Sequence, residues 1–264
     1  MSTTAMFFQH RAFWIAKDAE RADQFQDAFA VDAFRGAASI ADGVSSSLFA
    51  SSWAELLTRA VIADPPDVGD EELLGPWLDQ HRKEWLEPID VDNLAWHQKP
   101  KFQANGAQTT LLWVELYKDS THDRSTGEVD MYAYSVGDCC LFHIRGDRML
   151  RSFPFSNAEA FASNPAVIGS ISKKSDVAIP FEHLQTTGVN DDLLVLCTDA
   201  MAVWLLEQKA AGVRIDWNGY WSMTESDWRD HILDLRQNQQ IRYDDTTMLL
   251  LRLGKKEPAV TTEE

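Results

Sequence analysis

Cysteine is scarce in this sequence, and three cysteines (Cys139, Cys140 and Cys197) do not make a disulfide framework. Long apolar runs are missing as well, so we predict no membrane-spanning segment and no membrane partner. The N-terminal residues do not combine a basic stretch, an apolar stretch and a small-residue cleavage site, so we expect no secretion signal. Together these absences predict a cytoplasmic protein in a reducing compartment.

Basic residues are few relative to acidic ones. The chain has 264 residues, with 24 Lys and Arg against 41 Asp and Glu, and its formal net charge is −17. A nucleic-acid partner is therefore not expected, because binding to phosphates needs a basic surface. Part of the acidic excess could instead form a site for hard divalent cations, which prefer oxygen ligands.

The hydrophobic pattern predicts mixed strands and helices in one domain over 1–254, followed by a polar tail over 255–264. Residues 90–105 are predicted to be irregular, and 151–174 a long surface excursion of the kind that often covers a site. Residues 7–16 form an apolar segment, and strands are predicted over 25–31, 37–41, 109–116, 129–136, 139–144, 193–198 and 247–253. Helices are predicted over 51–61, 71–87, 201–211 and 228–239.

Aspartates recur at the ends of the predicted strands. Asp42 and Asp199 each end an apolar strand, and Asp138 follows one after a glycine. Asp244 begins a strand, and Asp27 lies just inside another. Any one of them is more simply a turn or cap residue. Jointly they predict a rim of carboxylates, which repel one another unless cations or protons neutralise them, and Mg²⁺ or Mn²⁺ fits such ligands.

Five short motifs in order resemble the metal-dependent serine/threonine protein phosphatases of the PP2C class, in particular a bacterial subgroup. The resemblance covers about 26–253. It rests on Ile40-Ala41-Asp42-Gly43, Gly106 to Leu112, Val136-Gly137-Asp138, Val195 to Asp199, and Asp244-Asp245-Thr246-Thr247. It implies an α+β fold, a four-layer α-β-β-α sandwich of two antiparallel sheets flanked by helices.

The resemblance also implies a set of metal ligands and a reaction. Asp42 would bridge two Mn²⁺ or Mg²⁺ ions, and the Gly43 carbonyl would bind one of them. Asp199 and Asp244 would complete the shell of one ion, and Asp27 matches an early acid associated with the other. A water bridging the two ions would attack phosphoserine or phosphothreonine of a phosphorylated protein substrate.

A third, looser ion and a flap complete what the resemblance implies. Asp138 matches the acid that helps Asp199 to hold this third metal. The excursion over 151–174 occupies the place of the family's flap.

Four positions depart from the family pattern. Asp245 stands where many members have asparagine, a change that is common in bacterial relatives. Val44 stands where many members have a histidine, and Ala22 stands where a phosphate-binding arginine is frequent, with Arg21 one step away. Ala200 replaces a usual glycine after Asp199. These departures leave open a second hypothesis, a catalytically weak or inactive PP2C-like module that serves in regulation or binding.

Other catalytic patterns are weaker. Cys139 and Arg145 have the C-x5-R spacing of cysteine-dependent phosphatases, but bulky strand residues replace the glycine-rich loop that such a site needs. The seven histidines show no metal-ligand spacing. No G-x-S-x-G motif surrounds the serines that follow Val44.

Overall fold

A computed structural model describes residues 6–118, 127–161, 164–172 and 179–254. The strands are β1 (Phe8–Ile15), β2 (Ala28–Asp32), β3 (Ala37–Ala41), β4 (Gln108–Thr109), β5 (Leu111–Tyr117), β6 (Val129–Val136), β7 (Cys140–Arg145), β8 (Arg148–Phe153), β9 (Ile168–Gly169), β10 (Glu182–Gly188), β11 (Leu193–Cys197) and β12 (Thr246–Leu253). The helices are α1 (Ala50–Ala63), α2 (Glu71–Leu86), α3 (Gln98–Asn105), α4 (Asp199–Ala210), α5 (Trp217–Ser222) and α6 (Glu225–Gln237).

Two five-stranded antiparallel sheets form the centre of the molecule. The first sheet has the strand order β1-β12-β11-β7-β8, and the second has the order β10-β6-β5-β3-β2. Apolar side chains from both sheets, such as Ile40, Leu112, Leu196 and Leu249, are fully buried against one another. The sheets therefore pack face to face around a shared core, as in other sandwiches.

Helices cover the outer faces of both sheets. Trp53 and Leu57 of α1 pack with Trp113 of the second sheet, together with residues of α2 and α3. On the other side, residues of α4, α5 and α6 pack on the first sheet around Phe142 and Val195. The four-layer α-β-β-α sandwich predicted from the sequence is thus confirmed. Among the described residues, no helix is long and apolar enough to cross a membrane.

Local sequence explains the central elements. All five residues of β11 are buried, because the strand lies between two neighbours and under helices, and it reads as one continuous apolar run. Helix α6 begins at a capping box in which Thr224 and Asp227 satisfy each other's backbone N–H groups. Helix α2 begins after Asp70, whose side chain accepts a hydrogen bond from the N–H group of Glu72.

Several predicted boundaries were wrong near the ends of elements. Asp27 precedes β2 instead of lying inside a strand, and Asp244 precedes β12 by two residues. Asp199 is the first residue of α4. The predicted excursion over 151–174 begins with the last residues of β8 and contains β9, and its residues 162–163 and 173–174 lie outside the described residues.

Several elements were not predicted from the sequence, among them β8, β9, β10, α3 and α5. Strand β10 is an edge strand with mostly exposed side chains, so it lacks the apolar alternation that marks a half-buried strand. Helix α3 lies within 90–105, which was predicted to be irregular, and it buries one side chain, Phe102. Helix α5 has six residues, too few to show a helical period.

Candidate functional site

A cleft of about 510 Å³ lies where the ends of the central strands meet. The structure brings Asp42, Gly43, Asp138, Asp199 and Asp244 together in its wall, although they are distant in sequence. The remaining lining residues are Val44, Ser45, Ser46, Gln108, Thr110, Asn164, Pro165, Val167 and Arg242. The predicted site residue Asp27 is not in this wall.

Asp42 is fixed through its backbone. Its carbonyl accepts hydrogen bonds from the Thr109 hydroxyl at 2.8 Å and the Thr110 N–H group at 2.9 Å. Its own N–H group donates to the Thr110 hydroxyl at 3.0 Å. Gly43 follows in a crowded place, where a Cβ atom would lie 2.7 Å from the Gln26 carbonyl oxygen. The backbone is thus held while the Asp42 carboxylate faces the cleft.

Asp138 reaches the cleft through a turn that only glycine can make easily. Gly137 has a φ of +99°, and a Cβ atom there would meet the Thr110 side chain at 2.5 Å. Asp138 is 4% exposed, and its Oδ1 atom has no hydrogen-bond partner among the described residues.

Asp199 and Asp244 are placed in the cleft wall by the first sheet, because Asp199 follows β11 and Asp244 precedes β12. The Oδ2 atom of Asp199 accepts a hydrogen bond from Arg242 Nη1 at 3.0 Å, and its Oδ1 atom is buried without a partner in the described part of the chain. The Asp244 carboxylate is more exposed; it accepts from the Asp245 N–H group at 3.0 Å and lies 3.4 Å from the Lys17 ammonium.

Asp27 lies behind the cleft wall. Its Oδ2 atom accepts hydrogen bonds from the hydroxyls of Thr198 at 3.0 Å and Thr247 at 2.7 Å, while Oδ1 is buried and unpartnered among the described residues. Its neighbour Asp245 accepts from the N–H groups of Lys17 at 2.6 Å and Gln26 at 2.7 Å. Asp245 therefore ties three chain segments together beside the cleft.

Burial and mutual repulsion raise the pKa values of Asp27, Asp42, Asp138 and Asp199. Burial, together with repulsion from Asp27 and Asp199, raises the pKa of Asp42 well above its usual range. Burial and the charge of Asp199 raise the pKa of Asp138 to about 7. Burial and Asp244 raise the pKa of Asp199, although Arg242 opposes the shift. Burial and the negative charge of Asp245 raise the pKa of Asp27 as well.

These residues fit a divalent cation in their chemistry. Buried carboxylate oxygens without donors, at Asp138 and Asp199, are costly unless a proton or a cation satisfies them. In the described ranges, however, no three His, Cys, Asp or Glu side chains converge closely enough to hold a metal ion as they stand. The ion pair of Asp199 with Arg242 also places a positive charge beside a carboxylate that a cation would use.

Sequence reasoning missed two polar residues of this region. Arg242 belongs to no motif, and its approach to Asp199 depends on how α4 and β12 are placed, so no local signal could have found it. Asp245 was noted only as a replacement for asparagine, whereas its carboxylate joins Lys17 and Gln26 across the fold.

Three of the four departures from the family pattern, Val44, Ala22 and Ala200, lie in different places. Val44 lines the cleft, whereas Ala22 lines a separate depression beside Trp228. Ala200 is fully buried in the core that α4 shares with the first sheet. The position that often carries a phosphate-binding arginine is therefore outside the cleft in this structure.

The chain is similar in structure to known phosphatases. Stp1, a serine/threonine phosphatase from Staphylococcus aureus, is 12% identical with a TM-score of 0.56, and the match covers 97% of this chain and 98% of that one. The catalytic domain of the serine/threonine phosphatase PstP, solved with two manganese ions, is 14% identical with a TM-score of 0.52, over 95% and 100% of the chains. The photosystem II phosphatase PBCP is 13% identical with a TM-score of 0.54, over 94% and 99%.

No protein-family model and no curated protein sequence matches this chain. TM-scores of 0.52 to 0.56 over nearly the whole chain establish a shared fold, and at 12 to 14% identity the similarity extends to the fold alone. The fold implied by the sequence resemblance, that of PP2C-type phosphatases, is therefore confirmed over nearly the whole chain.

Proposed function

We propose that this protein is a metal-dependent phosphatase that hydrolyses phosphoserine and phosphothreonine in proteins. The observation that carries the proposal is the meeting of four carboxylates in one cleft, where two of them have buried oxygens without a hydrogen-bond donor in the described part of the chain. The fold shared with serine/threonine phosphatases, one of them solved with two manganese ions, supports it.

Asp42, Asp199 and Asp244, with the Gly43 carbonyl, would hold two Mn²⁺ or Mg²⁺ ions, and Asp138 with Asp199 would hold a third. When bound, such ions acidify water and neutralise the charge of a phosphoryl group. Asp42 would stay in place because its backbone is hydrogen-bonded on both sides to Thr110.

Asp27 would act from behind this wall. Its carboxylate, oriented by the Thr198 and Thr247 hydroxyls, adds negative charge next to Asp42 and so favours a cation there. The Ser45 and Ser46 side chains at the mouth of the cleft would face the protein substrate on the solvent side.

A second candidate function is a regulatory or binding module with little or no catalysis. The observation that favours it is the ion pair between Arg242 and Asp199, which already neutralises one of the proposed metal ligands. Val44, which lines the cleft at the position where many family members have a histidine, also favours this second function.

Hydrolysis of an aryl phosphate and of a phosphothreonine peptide, measured with and without Mn²⁺, separates the two functions. We expect Mn²⁺-dependent turnover by the wild type, and a loss of at least about 100-fold in Asp42→Asn, more than a typical outer-shell substitution costs. Asp230→Asn is the matched control, since Asp230 is exposed on α6. Absence of metal-dependent turnover by the wild type on both substrates would contradict the enzyme proposal.

A further inference from the structure

Arg242 lies in the wall of the cleft with its guanidinium only partly engaged. Its side chain is 43% exposed, and Nη1 donates to Asp199 Oδ2 at 3.0 Å. The Phe161 ring lies under the guanidinium, 5.8 Å from ring centroid to Cζ. Among the described residues, no other donor of this guanidinium has a hydrogen-bond acceptor. The side chain is thus held from two sides and keeps donors free.

We propose that Arg242 binds the phosphoryl group of the substrate, and that its ion pair with Asp199 is a resting contact that a divalent cation displaces. This inference rests on the proposed phosphatase function. It assigns to one residue both the recognition of the phosphate monoester and the control of access to a metal ligand.

The charge of the cleft makes a basic residue necessary. A phosphate monoester is an anion, and four carboxylates line the wall that it must approach. In the part of the chain that the structure describes, Arg242 is the one basic residue in that wall. A guanidinium is also suited to phosphate, because its planar fork of donors matches two phosphoryl oxygens.

The other nearby cations are committed elsewhere. Arg21 donates to both carboxylate oxygens of Asp23, at 3.0 and 3.1 Å, outside the cleft. Lys17 lies in a neighbouring depression, where its ammonium is paired with Asp244 Oδ1 at 3.4 Å and lies 5.8 Å from the Tyr243 ring centroid. Arg242 would therefore take over the phosphate binding that many family members assign to an arginine at the position of Ala22.

Competition for Asp199 links the two roles. A cation bound to the free Oδ1 atom of Asp199 would be repelled by the guanidinium on Oδ2 of the same carboxylate, so metal binding and release of the guanidinium are coupled. The released side chain, still packed on Phe161, would remain at the cleft and could turn its donors toward a phosphoryl oxygen.

Calorimetric titration of metal-free protein with Mn²⁺ tests the resting contact without any turnover. We expect Arg242→Gln to bind Mn²⁺ about threefold more tightly than the wild type, because a partly exposed ion pair no longer competes. Arg229→Gln is the matched control, since Arg229 is a 44% exposed arginine paired with Glu20. Equal or weaker Mn²⁺ binding by Arg242→Gln would overturn the proposal.

Titration of the Mn²⁺-loaded proteins with inorganic phosphate tests recognition. We expect Arg242→Gln to weaken phosphate binding by about tenfold or more, with only partial recovery in Arg242→Lys, which keeps the charge but loses the fork. Unchanged phosphate affinity in Arg242→Gln would overturn the assignment, and if Mn²⁺-dependent turnover persisted the proposed function would stand. A wild type that bound no Mn²⁺ would overturn both.

Discussion

Gly137 shows how strongly one residue controls the position of a cleft carboxylate. An alanine there would adopt a φ of +99° and meet Thr110 Cγ2 at 2.5 Å. We expect Gly137→Ala to lower the free energy of unfolding by about 2 kcal/mol or more, measured by urea denaturation. Gly146→Ala is the control, because its φ is +58° in open space, and it should cost about 1 kcal/mol. Equal losses in the two variants would show that the contact with Thr110 is unimportant.

Asp138 makes the stability of the metal-free protein depend on pH. Its pKa is raised from 3.8 to about 7 by burial and Asp199, so the folded state binds more protons than the unfolded state between these values. The free energy of unfolding should therefore fall as pH rises from about 4 to about 7. Denaturation of chelator-treated protein across this range measures the slope. Asp138→Asn should reduce the slope, and an unchanged slope would contradict this origin.

At the scale of elements, a buried ion network joins β7 to the turn before β11. Asp192 is 1% exposed and accepts from His143 Nε2 at 2.7 Å, from Arg145 at 2.7 and 2.8 Å, and from the Val189 N–H group at 3.0 Å. Burial works against ionisation, but Arg145 and His143 outweigh it and hold the pKa of Asp192 well below its usual range. The network thus stabilises the central strands of the first sheet.

Removing this carboxylate should be costly. We expect Asp192→Ala to lower the free energy of unfolding by about 2–3 kcal/mol at neutral pH, since hydrogen bonds from charged groups are lost. Because the folded pKa is lowered, the contribution is present above the unfolded pKa near 4 and shrinks as pH falls below it. Asp147→Ala, which removes an exposed pair with Arg214, should change stability by less than about 0.5 kcal/mol. Similar losses in both variants would contradict the role of burial.

Elements whose burial follows a simple period were predictable from sequence. The continuous apolar run of β11 and the apolar face of α1 were recognised because each is buried against the sandwich. The edge strand β10 was not, since its side chains are mostly exposed and its pairing with β6 depends on a partner distant in sequence.

In the candidate site too, residues marked by local sequence were predictable and contacts between distant residues were not. Asp42, Asp138 and Asp199 could be identified because each stands next to an apolar strand in the sequence. The ion pair of Arg242 with Asp199 could not, because it depends on tertiary placement.

At the scale of the whole molecule, the charge of −17 and the buried carboxylates disfavour the folded state, and cations at the cleft would relieve this repulsion. We expect Mn²⁺ at about 100 times its dissociation constant to raise the melting temperature by about 5 °C or more. Na⁺ at the same ionic strength controls for general screening. Asp42→Asn should lose most of the Mn²⁺-specific rise, and an equal rise in the variant would contradict metal binding at the cleft.

The most direct test of the central claim is the location of Mn²⁺ by anomalous diffraction from Mn²⁺-soaked crystals. We predict anomalous peaks in the cleft, at coordination distances of about 2.0–2.3 Å from carboxylate oxygens of Asp42, Asp199 and Asp244, with Arg242 turned away from Asp199. Peaks only at surface carboxylates outside the cleft, or an Arg242–Asp199 ion pair unchanged beside an empty cleft, would contradict the account.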